Sequence, residues 1–182
     1  MITIIIIAAA VLVAAVFAYA ASKPDTFTVR RAALIAAPPE QIFPLIDDLH
    51  AQSAWSPFEK DPNMKRTYSG SPRGAGAVYA WDGNRQVGAG RLAITDSQAP
   101  SKVMLHLEME RPFKAKNVVE FLLERDGGGT SVSWIMRGPQ PYMAKLLGLV
   151  MNCDKMVGGE FEAGLAKLKT LVETGGPAVA AE

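Results

Sequence analysis

The first periodicity in this chain is the absence of one. From Ile2 to Ala21 it reads ITIIIIAAAVLVAAVFAYAA, uncharged throughout, with Thr3 and Tyr19 carrying the only polar side-chain atoms. A helix needs about 20 such residues to cross a hydrocarbon core roughly 30 Å thick. Residues 1–22 are therefore expected to form a transmembrane anchor, residues 23–175 one soluble domain, and residues 176–182 a disordered tail. A cleaved secretory signal is the alternative, since Ala18-Tyr19-Ala20 fits the small-x-small cleavage pattern. Against it, the run is longer than the ~7–15 residues of a signal core, and no Lys or Arg precedes it. A helix apolar on every side also suits lipid better than the core of a small domain.

After the anchor the pattern switches to a period of two, then to one near 3.6. Residues 27–36 predict a first strand, closed by Pro38-Pro39. Pro39 before Glu40 is a helix-start signal, and Ile42, Phe43, Leu45, Ile46 and Leu49 recur at helical spacing, predicting a short helix over 39–48. A second short helix or turn reaches Trp55. Strands follow over 64–69, 77–82, 85–95, 102–111, 117–125 and 130–137, with Gly83-Asn84 as a tight hairpin turn and Asp126 to Gly129 as another. Val157, Phe161, Leu165, Leu168 and Val172 then mark one face of a helix over 154–173. This order predicts an α+β domain, a curved antiparallel sheet of about seven strands wrapped around a long C-terminal helix.

Alternation assigns the inner face of each strand. Val103, Leu105, Leu107 and Met109 point in, as do Val119, Phe121 and Leu123, and Val132, Trp134 and Met136. Gly88, Gly90, Leu92 and Ile94 share a face, and Tyr79 and Trp81 are taken as inner. Gly158, Gly159 and Gly164 lie in the final helix, where glycine costs about 1 kcal/mol against alanine. Such glycines either let helix and sheet approach closely or leave room for a guest.

Composition narrows the partners. Formal net charge is +1 with both signs interspersed, so no basic stripe invites a phosphate backbone and nucleic acid is not an expected partner. Lys23, Arg30 and Arg31 follow the apolar span and nothing basic precedes it, which favours a cytoplasmic-facing domain and leaves export past the membrane open. The single Cys153 has no internal disulfide partner.

Several segments resemble one superfamily. They are residues 36–43 (AAPPEQIF), Trp55-Ser56-Pro57-Phe58 with Asp61-Pro62, Trp81-Asp82-Gly83-Asn84, and Val87-Gly88-Ala89-Gly90. To these add Pro112-Phe113-Lys114-Ala115, residues 129–134 (GTSVSW) and Phe161-Glu162-Ala163-Gly164-Leu165. Together they cover nearly the whole domain and resemble the SRPBCC (START-like) superfamily, in particular its polyketide cyclase/dehydrase and lipid-transport family. The resemblance implies a helix-grip fold enclosing a hydrophobic cavity. It implies no shared catalytic set, and none is carried over.

The functional expectation is binding of a lipid or other hydrophobic small molecule between sheet and final helix. The expected lining is Tyr79, Trp81, Gly90, Leu92, Leu105, Leu107, Val119, Phe121, Trp134, Met136, Phe161 and Leu165. The apolar stretch 139–151 precedes the final helix, and Tyr142, Met143, Leu146, Leu147 and Met151 form a candidate gate; a second core-packed helix or a membrane-touching helix are its alternatives. The rival function is a cyclase- or dehydratase-like enzyme on a hydrophobic substrate, which needs a titratable group inside the cavity. A domain acting through protein contacts alone is a third reading. No catalytic residue, cofactor or metal is expected. His106 shares a strand face with Glu108 and Glu110, but that face points outward. Asp47, Asp48 and His50 read as a solvated helix end, and Cys153 has no nearby base.

Overall fold

The computed structural model describes residues 1–149 and 152–175, so the tail expected over 176–182 lies outside the described residues. Helix α1 (Ile2–Ala21) is long and apolar enough to span a bilayer, and only Ala20 on it is buried by the rest of the chain. The domain then follows as β1 (Thr26–Ile35), α2 (Pro39–Asp47), α3 (Leu49–Gln52), β2 (Lys65–Gly70), β3 (Ala77–Asp82), β4 (Ala89–Gln98), β5 (Lys102–Arg111), β6 (Ala115–Asp126), β7 (Gly129–Pro139), α4 (Tyr142–Leu147) and α5 (Cys153–Glu173).

The seven strands form one antiparallel sheet in the order β1-β7-β6-β5-β4-β3-β2. Every neighbour is a hairpin partner except β1, which pairs with β7 from Thr26↔Pro139 to Ile35↔Thr130. The first strand thus lies beside the last, and the start of β1 shares an end of the sheet with the end of β7, the β5–β6 hairpin and the β3–β4 turn. Register shifts at Ala89/Gly90 and Ile94/Asp96 bend β4, as bulges do, and help curve the sheet.

Helix α5 crosses the concave face. Asn152 caps it by accepting from the Lys155 amide at 2.9 Å. Phe161, Leu165 and Leu168 are buried against Ile35, Val132 and Trp134. Arg31 on β1 grips the first half of α5, donating to Asp154 Oδ2 at 3.0 Å and Glu162 Oε1 at 2.6 Å. Gly158 makes that grip fit, because a Cβ there would sit 2.0 Å from the guanidinium. Helix α2 starts with Pro39 at its first turn and buries Ile42, Phe43 and Ile46; Asp48 then caps α3 through the His50 amide. Trp55 closes the α3 side, edge-on to Phe121 and Trp134, with its Nε1 donating to Leu45 O at 2.9 Å.

Two sequence expectations give way here. The connection from β3 to β4 is longer than a two-residue turn. Gly88 closes it at φ +68°, a left-handed conformation suited to glycine, and β4 starts only at Ala89. Asn84 organises the loop, its side-chain oxygen accepting from the Gln86 and Val87 amides. Gly88 therefore sits in a turn, off the inner strand face, and a Cβ there would meet Arg111 O at 2.2 Å.

Candidate functional site

A cavity of about 430 Å³ opens between the concave sheet and the first half of α5. Its floor comes from alternate residues of the central strands: Leu92 of β4, Leu105, Leu107 and Met109 of β5, Val119 and Phe121 of β6, and Trp134 and Met136 of β7. Tyr79 and Trp81 of β3 make one side wall, and Val157, Glu160 and Phe161 of α5 the roof. The last wall is irregular chain, Phe58, Glu59 and Lys60, entering from the α3–β2 loop. Trp134 stacks on Phe161 at 4.2 Å and leans on Phe121 at 4.9 Å, so an aromatic cluster backs the cavity. Its Nε1 is buried with no hydrogen-bond partner among the described residues.

All the expected lining residues reach this cavity except Gly90 and Leu165. Gly90 faces inward opposite Trp81, but a Cβ would stand 2.8 Å from the Trp81 ring: the indole has taken the space the glycine leaves. Leu165 is buried in the core one turn beyond Phe161, past the point where the cavity ends. Gly164 serves packing too, since a Cβ would sit 2.8 Å from Trp134 Cζ3 and 2.9 Å from Pro57 Cδ.

Among the candidate gate residues, Met151 lies outside the described residues. Tyr142, Met143, Leu146 and Leu147 form α4, which lies against α1 rather than on the cavity wall.

A polar constellation missed in the sequence enters the wall. Tyr79 Oη donates to Glu59 Oε1 at 2.8 Å, while Arg66 donates to Glu59 Oε2 from Nε at 2.9 Å and from Nη2 at 2.6 Å. Burial, and then the bond to Glu59, push the Tyr79 phenol well above its ordinary range, so it stays a neutral donor. Burial raises the Tyr68 phenol as well, with the Glu59 charge adding to it. Tyr68 stacks between Tyr79 at 5.0 Å and His50 at 3.6 Å, so His50 belongs to a surface stack. The signal for Glu59 was available in principle: an inward Tyr hydroxyl requires a partner.

The other sequence candidates have structural partners. Asp47 accepts from Ser97 Oγ, and Asp48 is the α3 cap. Glu108 is paired with Arg91 at 2.9 Å and Lys116 at 3.2 Å on the outer face, where His106 is exposed. Those two cations hold the Glu108 carboxyl below its usual range, Lys116 contributing most. Among the described residues no group of three His, Cys, Asp or Glu side chains is arranged to hold a metal.

An antiparallel sheet gripping a C-terminal helix over an apolar cavity is the helix-grip fold of SRPBCC-type proteins. The chain belongs to the polyketide cyclase/dehydrase and lipid-transport family, whose profile matches residues 26–173. Solved structures share the fold at low identity. The solution structure of the Aha1 dimer from Colwellia psychrerythraea matches with TM-score 0.59 at 14% identity, covering 83% of this chain and 99% of that one. A protein from Mesorhizobium loti matches with TM-score 0.61 at 16% identity, over 81% and 98% of the two chains. DynU16, of the dynemicin biosynthetic locus, matches with TM-score 0.59 at 14% identity, over 84% of this chain and 49% of its own. A comparison with curated proteins finds no match.

Proposed function

We propose that this protein is a membrane-anchored binder of a lipid or another hydrophobic small molecule, held in the cavity between sheet and α5. The observation that carries the reading is the cavity itself, about 430 Å³ with aromatic, leucine and methionine walls. That lies within the roughly 300–1,000 Å³ range of small-molecule sites. A ligand burying about 200 Å² of apolar surface there gains ~5 kcal/mol gross at ~25 cal/mol per Å², part of which offsets the cost of association. Helix α1, exposed along its length, supplies the anchor. Lys23 just beyond the span favours a domain on the cytoplasmic side; Arg31, ion-paired inside the fold, adds little to that preference.

Native mass spectrometry of gently purified protein, followed by organic extraction, tests the binding reading. A co-purifying lipid or small hydrophobe is the expected result. A clean apo mass that survives challenge with membrane lipid extracts would overturn it.

Glu59 and Tyr79 favour a second reading, an enzyme acting on a hydrophobic substrate in the same cavity. The carboxylate is a proton acceptor fixed by Arg66, and the phenol beside it can orient a polar group of the substrate. Glu59→Gln separates the readings: it abolishes turnover but leaves ligand occupancy in the enzyme case, and changes only affinity in the carrier case.

A further inference from the structure

Three of the most exposed large apolar side chains of the domain, Phe113, Met143 and Leu147, lie at one end of the sheet, the end where α1 enters, while Leu34, Phe58 and Met156 are exposed elsewhere. Helix α4 is one part of this surface. Met143 and Leu147, one turn apart on one face, are 66% and 55% exposed, while Lys145 turns inward to Asp25 at 2.7 Å. The opposite edge of α4 is fixed to α1. Tyr142 Oη donates to Phe17 O at 3.1 Å, and the two rings stack at 6.5 Å. Phe17 lies four residues before the end of α1, so at 1.5 Å per residue the Tyr142 hydroxyl meets α1 about 6 Å below the top of the apolar span. That is interfacial depth, the level at which Tyr is enriched.

The second part is the tip of the β5–β6 hairpin. Phe113 there is 78% exposed and flanked by Arg111, Lys114 and Lys116. The hairpin stands two to three strands from β1, roughly 10–14 Å across the sheet at 4.7–4.9 Å per strand. It projects from the same end of the sheet as the start of β1 and the end of β7, where α1 and α4 are attached. Arg85, in the neighbouring β3–β4 turn, and Lys114 have no acidic partner among the described residues, and the nearby exposed Glu110 has no basic one, leaving a net positive charge beside the aromatic tip. Part of the cavity rim lies at this end as well: Gln86 and Pro112, both lining residues, are exposed in these same two turns, as Ser53, Phe58 and Lys60 are on the α3–β2 loop side.

We propose that α4 and the Phe113 hairpin form one footprint on the bilayer surface, resting beside the anchor and holding the cavity mouth against the lipid. The occupant is then an amphiphile dissolved in the bilayer, exchanged with the lipid phase without crossing water. This inference rests on the anchored reading above. It differs from a gate, because α4 positions the mouth and leaves the opening uncovered.

The test is depth measurement on the full chain in vesicles of phosphatidylcholine with phosphatidylserine. Nitroxide labels are placed one at a time at Phe113→Cys, Leu147→Cys, Phe17→Cys and Gly128→Cys in a Cys153→Ser background. Collision rates with oxygen and with a nickel chelate are then compared. Gly128 lies in the turn at the far end of the sheet and serves as the aqueous reference. The expected result is an oxygen-to-nickel ratio several-fold above that reference at positions 113 and 147, approaching the value at 17. An aqueous ratio at 113 and 147 with a buried ratio at 17 overturns the footprint and leaves the anchor standing. An aqueous ratio at 17 overturns both.

Discussion

Filling the cavity from its floor tests whether it is space for a ligand or a closed, filled core. Leu107 on β5 is half-buried, lines the cavity, and faces Leu92 across β4 and Asn117 across β6. In Leu107→Trp the indole projects into the opening. If that space is open, the ring buries roughly 50–100 Å² more apolar surface than leucine, worth about 1.3–2.5 kcal/mol at ~25 cal/mol per Å². Loss of side-chain freedom offsets about 1 kcal/mol of this. Stability then rises by about 0.3–1.5 kcal/mol, or up to ~6 °C in Tm for a domain of about 150 residues. If the site is a filled core, overpacking costs about 1–3 kcal/mol and Tm falls by up to ~12 °C. Binding moves oppositely. A ligand that loses 50–100 Å² of contact loses about 1.3–2.5 kcal/mol, so affinity drops roughly tenfold or more. Thermal unfolding followed by circular dichroism, with titration of the fluorophore anilinonaphthalene sulfonate on the anchor-free domain, reads both. A Tm drop beyond about 8 °C together with unchanged fluorophore affinity would refute the reasoning.

Tyr79→Phe removes a bond to a charged acceptor and should cost about 1.5–3 kcal/mol, measured by urea unfolding at neutral pH. Because the folded phenol is raised above its unfolded value, it contributes stability below about pH 10 that is lost as pH rises beyond it. Wild type should therefore lose stability above pH ~10 more steeply than Tyr79→Phe, and equal slopes would contradict the assignment. In α5, Gly164→Ala should destabilise by about 1–3 kcal/mol through the contacts with Trp134 and Pro57. Gly159→Ala, with nothing within 4 Å of its Cβ, should stabilise by about 0.5–1 kcal/mol; the same sign for both in thermal melts would refute the packing account. Asp25→Asn should raise hydrogen exchange of α4 amides at neutral pH. The Lys145 bond holds the Asp25 carboxyl below its usual range, so its contribution is present above about pH 4 and lost on acidification. Wild type taken below that pH should therefore approach the variant.

Strands and their faces were legible because a half-buried sheet writes its geometry in a period of two. The floor of the cavity followed directly: Leu105, Leu107, Val119, Phe121, Trp134 and Met136 are parity neighbours on β5, β6 and β7. Glycine was harder to read. A missing side chain in sequence says where volume is withdrawn but not what moves in. At Gly90 the Trp81 ring fills the gap, at Gly158 the Arg31 guanidinium, and at Gly164 the Trp134 ring with Pro57. The short α4 was legible as apolar but not as placed, because its position depends on α1, about 120 residues away in sequence.

Glu59 shows where parity stops. Residues 53–64 are irregular chain, and no period assigns their side chains a direction. Yet this loop carries the polar group on which the two proposed functions differ. The carrier reading needs only the apolar walls, whereas the enzyme reading would use Glu59, held between Arg66 and the Tyr79 phenol, as its base. The sequence contained one physical clue, that the inward Tyr79 hydroxyl and the Arg66 guanidinium both need acceptors. Glu59 is the carboxylate in that loop that meets both. The same side chain can hold the polar head of a bound amphiphile, so carrier and enzyme share one architecture. They differ in whether the Glu59 lone pairs meet a hydroxyl that stays protonated or a carbon acid that does not. Occupancy and turnover in Glu59→Gln therefore separate the two.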